Sequence, residues 1–116
     1  MIGPEDVLTF WLGPPDSPPL ANAKKWFTRD DAFHAEIRAR FGEAIHAAAR
    51  GQLEAWRAMP RGRLAFVVLC DQLSRNAFRG TARMFAQDAL AVETTERALE
   101  EGDWSVLTPI EKQFLL

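Results

Sequence analysis

The chain has 116 residues, the size of one ordinary domain, with 47% hydrophobic and 26% charged residues, a globular balance that excludes wholesale disorder. Fourteen basic residues against sixteen acidic ones leave a net charge of −2, which suits neither a general nucleic-acid binder nor an anionic-membrane binder. Any anion site must therefore be local. The single cysteine, Cys70, excludes an intrachain disulfide and the usual cysteine-based zinc layouts, and its place in an apolar run makes it a small core residue.

The opening stretch MIGPEDVLTFWLG lacks a basic region and is broken by Glu5 and Asp6, so it does not read as a signal peptide. No run approaches the roughly 20 apolar residues of a membrane span, and a reducing, cytoplasmic setting is expected. Pro4, Glu5 and Asp6 read as a first helical turn, because proline is tolerated at N1 and acids suit the helix dipole. Val7, Leu8, Trp11 and Leu12 stripe that helix until Gly13. GPPDSPPL, with four prolines in eight residues, predicts a rigid extended connector.

A second helix is expected from Thr28 or Asp30, both good N-caps, to about Arg50, with Gly51 closing it. Phe33, Ile37, Phe41, Ala44, Ile45 and Ala48 recur at threes and fours along it. A short helix, QLEAW, leads to Pro60. Leu64 to Cys70 is apolar at every position, and Leu73 and Ala77 continue its helical phase, which predicts a buried central helix from about Pro60 to Ala77. Thr81 can cap the next helix, striped by Phe85, Ala89, Val92 and Leu99 until Gly102. Thr108, Pro109 and Glu111 form a capping box for a last helix that stops on Phe114, Leu115 and Leu116. An apolar ending of this kind predicts cover by further chain or by a neighbouring copy.

The elements add up to an all-α fold of antiparallel helical hairpins in a single domain, 1–116, truncated at its C-terminal end. AARGQLEAW and ALEEGDWSVL echo each other as helix, glycine turn and short tryptophan-bearing helix. The four tryptophans sit in or beside helical stripes, which makes them core or groove lining rather than a base-stacking platform.

Few residues offer chemistry. His34 and His46 lie on one helix about 120° apart and cannot share a metal, and Glu43 with His46 supplies only half of a di-iron motif. Those two read instead as a surface pair one turn apart, and neither a metal nor a cofactor is expected. No nucleophile elbow or glycine-rich nucleotide signature is present. What remains is DQLSRNAFRG at 71–80. Asp71 precedes Arg75 by one helical turn, in the favourable order for an ion pair, and Gln72 and Asn76 form a second such pair. Arg75, Arg79 and Arg83 are also spaced by four and flank a helix start, where backbone N–H groups favour an anion. The cluster reads either as a small anion pocket or as a structural knot satisfying the backbone where two helices turn.

FWLG at 10–13, KKWF at 24–27, LCDQLSRNAFRGTARMFAQD at 69–88 and IEKQF at 110–114 together resemble a bacterial family catalogued as domain of unknown function 924. The resemblance implies an all-helical, tetratricopeptide-like fold with no established activity, of which this chain is the N-terminal two thirds. It makes the 71–80 cluster the family signature. After Phe33 the family commonly carries an acid where this chain has His34, so no role is carried onto that position.

Two functions are expected on these grounds. One is a tetratricopeptide-like module that presents a groove to a protein or peptide, with self-association through the C-terminal helix as a further expectation. The other is an enzyme or small-molecule binder acting on an anionic metabolite at Arg75, Arg79 and Arg83. The candidate binding residues are Asp71, Gln72, Arg75, Asn76, Arg79 and Arg83, with no nucleic-acid or membrane partner.

Overall fold

The computed structural model describes residues 2–14, 17–18 and 20–115, and it is all-α, without a strand among those residues. Seven α-helices follow in order: α1 (Pro4–Leu12), α2 (Ala23–Trp26), α3 (Asp31–Ala49), α4 (Pro60–Val68), α5 (Ser74–Ala77), α6 (Asp88–Glu100) and α7 (Pro109–Leu115). Three 3₁₀ turns, Glu54–Ala58, Ala82–Phe85 and Asp103–Val106, lie between them. A π-helical segment, Leu69–Leu73, joins α4 to α5, so the central helix runs from Pro60 to Ala77 as its apolar phase predicts. No described helix is long and apolar enough to cross a membrane. The connector GPPDSPPL falls partly outside the described residues, at Pro15, Asp16 and Pro19.

Local chemistry sets the ends of the helices. Asp30 caps α3 by accepting from Ala32 N at 2.8 Å. The capping box of α7 closes in both directions, Thr108 N donating to Glu111 Oε1 at 2.9 Å and Glu111 N to Thr108 Oγ1 at 3.2 Å. The KKWF region, whose helix α2 was not expected, caps the open end of α1. Lys25 Nζ donates to the Phe10 carbonyl at 2.9 Å and Trp26 Nε1 to that of Trp11 at 2.8 Å.

The echo seen in the sequence is structural. Gly51 and Gly102 both turn with positive φ, 74° and 81°, each followed by a 3₁₀ turn and then a proline-started helix. The two units, α3–α4 and α6–α7, share this order of elements at unequal length. The central α4 packs against α1, α6 and α7 together, with every residue from Gly62 to Cys70 buried.

Gly62 is required there, because a Cβ would stand 2.0 Å from the Trp56 carbonyl oxygen. Beside it lies a buried ion pair that the sequence did not announce. Arg63 donates from Nε to Asp103 Oδ2 and from Nη2 to Asp103 Oδ1, both at 2.7 Å, and from Nη1 to the Arg57 carbonyl at 3.0 Å. It stitches the turn of one hairpin to the turn of the other.

One expectation about packing is corrected. Phe85, Val92 and Leu99 do not form the buried stripe of α6; they are exposed, as is Ala89, and the face turned to α4 is Ala91, Thr94 and Ala98. The small residues Ala91, Thr94 and Ala98 let α6 approach closely to α4, whose residues from Gly62 to Val68 are all buried. Phe85, in addition, belongs to the 3₁₀ turn and is out of phase with α6. The apolar ending packs in part on its own chain. Leu115 is buried, and Phe114 packs edge-on to Trp26 and Trp11 at centroid distances of 4.9 and 6.1 Å. Leu116 lies outside the described residues.

Candidate functional site

The π segment carries Asp71 and Gln72, and α5 carries Arg75 and Asn76. One extra residue in the turn rotates these polar groups away from the core while Leu69, Cys70 and Leu73 stay buried; single π turns inside α-helices recur at functional sites. The bulge also changes how the carbonyls are satisfied. Asn76 Nδ2 donates to the main-chain carbonyl of Gln72 at 2.7 Å, while the Gln72 side chain donates to Asp71 Oδ2 at 2.9 Å. Gln72 and Asn76 are thus linked, but through the backbone and not side chain to side chain.

Arg75 is held between two carboxylates. Its Nε lies 3.1 Å from Asp71 Oδ1 and 3.3 Å from Asp88 Oδ1, and its Nη2 donates to Asp88 Oδ2 at 2.9 Å. The Phe85 ring covers the guanidinium at 4.9 Å. The expected Asp71–Arg75 pair is present, and Asp88 joins it from the first turn of α6. Sequence reasoning passed over Asp88, although an acid opening a helix, here at the end of the FAQD stretch, was the available signal.

These groups line an open cavity of about 310 Å³ between the central helix, α6 and Phe114. Val67, Ala91 and Phe114 supply apolar wall, Val92 and Thr95 continue it along α6, and Asp71, Arg75, Asp88 and Glu96 supply the charge. Of the three arginines expected to converge, only Arg75 lines this space. Arg79 is half-buried, and its Nε has no hydrogen-bond partner among the described residues. Arg83 lies over the Phe78 ring at 4.2 Å and donates from Nη2 to His46 Nε2 at 3.3 Å. His46 therefore pairs with Arg83, and not with Glu43 as its spacing suggested. His34 is buried, with Nε2 unpartnered among the described residues.

A larger cavity of about 580 Å³ lies between the end of α1 and the start of α7. Its polar rim is saturated: Arg61 donates from Nε and Nη2 to Glu5 at 2.6 and 3.1 Å and from Nη1 to Glu111 at 3.1 Å. Hydrogen bonding to Arg61 holds the Glu5 carboxyl below the ordinary carboxylate range. None of the 71–83 residues reaches it. Cys70 offers no chemistry at either cavity, since burial pushes its thiol up to about 12.

A family model described as a bacterial protein of unknown function, DUF924, matches residues 7–116. The chain belongs to that family. A solved structure of a protein of unknown function from Agrobacterium tumefaciens is 35% identical and superimposes with a TM-score of 0.83 over 97% of this chain. The chain spans 60% of the length of that protein. None of the curated proteins matches. Of the six candidate residues, Asp71 and Arg75 line the smaller cavity and none lines the larger one.

Proposed function

We propose that this DUF924 protein is a helical-hairpin docking module that receives a protein or peptide segment in the groove between the π segment, α6 and Phe114. The observation that carries the reading is the joining of the Asp71–Arg75 pair to an exposed apolar helix face. Asp71 and Arg75 line the open cavity, and Val92, 57% exposed, extends its apolar wall along the outside of α6. Monomeric domains keep large exposed side chains scattered, and apolar residues grouped at the rim of a polar-lined groove mark a binding surface. The repeated order of helix, glycine turn, 3₁₀ turn and helix supports the reading, since stacked helical units commonly present such grooves. The alternative of an anionic-metabolite enzyme has less support, because Arg75 is already neutralised and Arg79 and Arg83 stand away from the cavity.

The test is an amide NMR titration of the full chain with a synthetic leucine-faced helical peptide of about 15 residues, long enough to hold a helix. Shifts clustered on Asp71, Ala91, Val92 and Thr95 are expected. Shifts confined to the cavity at Arg61, or none at all, would overturn the reading.

A further inference from the structure

The charge of the groove specifies its occupant. Its lining holds three carboxylates, Asp71, Asp88 and Glu96, against a single guanidinium, Arg75, an excess of two negative charges. That guanidinium is committed inward, to Asp71 and Asp88 and under Phe85. An incoming carboxylate or phosphate would have to displace one aspartate and face the other. Arg57 does not relieve the excess, because it bonds to Glu54 and Glu93. A cation approaching beside Val92, by contrast, meets two carboxylates that share one guanidinium and a third, Glu96, with no ion pair among the described residues, with apolar wall along the same helix.

We propose that the groove takes a cationic amphipathic helix, which seats an apolar side chain on Val92 and Phe114 and a lysine or arginine beside Asp71, Asp88 and Glu96. This rests on the docking reading above and adds the chemistry of the partner. The cavity, about 310 Å³, holds one or two side chains and not a folded surface, so the occupant is a segment with anchors at helical spacing. Charge complementarity at such a rim governs partner choice and salt dependence more than raw affinity.

Three labelled synthetic helices with one shared leucine face, flanked by arginine, glutamine or glutamate, test this by fluorescence anisotropy against the full chain. Glu96→Lys is the informative variant, since Glu96 is exposed and not needed by the fold. The arginine helix is expected to bind tightest, to weaken about five- to tenfold with Glu96→Lys, and to weaken again as salt rises. Equal affinity of the arginine and glutamine helices, preference for the glutamate helix, or indifference to Glu96→Lys would overturn the charge assignment. Groove amide shifts with the glutamine helix would still uphold docking in that case. If none of the three helices moves a groove amide, the docking reading itself falls.

Discussion

Arg63 and Arg75 each meet a carboxylate in bidentate fashion, and they do different work. Arg63 and Asp103 are 5% and 2% exposed, and the guanidinium is also bonded to the Arg57 carbonyl. Arg75, with Asp71 and Asp88, is 40%, 29% and 34% exposed and opens onto a cavity. The first is a clasp between two turns, with no space beside it for anything else. In the second, the same chemistry holds an arginine still at the mouth of a groove. Both sites tie polar groups together, but Arg63–Asp103 is sealed inside the protein, whereas the 71–80 cluster, with Asn76 bonded to the Gln72 carbonyl and Arg75 joined to two carboxylates, opens onto the cavity. Burial, and not residue type, separates the roles: removing one member of a buried pair strands a charge, whereas water screens the survivor of an open one.

The sharpest way to break this contrast is to remove the buried carboxylate. Asp103→Ala is expected to cost about 3–5 kcal/mol, because Arg63 is left charged inside the protein. Urea unfolding measures it, and a loss below about 1 kcal/mol would mean that the clasp is as screened as the open site. Gly62→Ala comes next, at about 3 kcal/mol, the upper end for overpacking, since its methyl would meet a backbone carbonyl that cannot swing aside. It probes the same junction from its other side and should lower the thermal midpoint without changing charge.

At the open site the expected effect is small. Asp71→Asn should cost about 0.5–1 kcal/mol, since Asp88 retains Arg75 and solvent reaches the gap. A loss as large as that of Asp103→Ala would make the signature cluster structural after all. Smallest is the pH response of the Glu5–Arg61 pair. Arg61 lowers the Glu5 pKa in the folded state, so its contribution is full above the ordinary carboxylate value of about 4.3 and is lost as pH falls through the lowered one. Half-exposed groups keep this to a few tenths of a kcal/mol, and Arg61→Met should remove that part of the acid slope in a pH series of denaturation curves. Cys70 adds an independent gauge of the core. With its thiol raised to about 12, alkylation at pH 8 should follow global opening and accelerate in Asp103→Ala but hardly in Asp71→Asn.

Period and caps were enough to place α1, α3, the central helix and α7. Apolar residues at threes and fours, Asp30 before a periodic run, and Thr108 with Glu111 act within one or two turns, and sequence lists neighbours at that range directly. The Asp71–Arg75 pair was legible for the same reason: both members lie one turn apart on one helix. Tertiary packing decided everything that depends on distant partners. It turned α6 so that Ala91, Thr94 and Ala98 are buried and Val92 and Leu99 face out, because small side chains let the helix approach the core closely. It brought Asp103 to Arg63 across 40 positions and Asp88 to Arg75 across 13, and it drew Arg83 away to Phe78 and His46. Four-residue spacing put three arginines in one row only while the helix lasted. Past Gly80, whose φ is 82°, the chain leaves that helix, and the side chains go to the partners that the fold supplies.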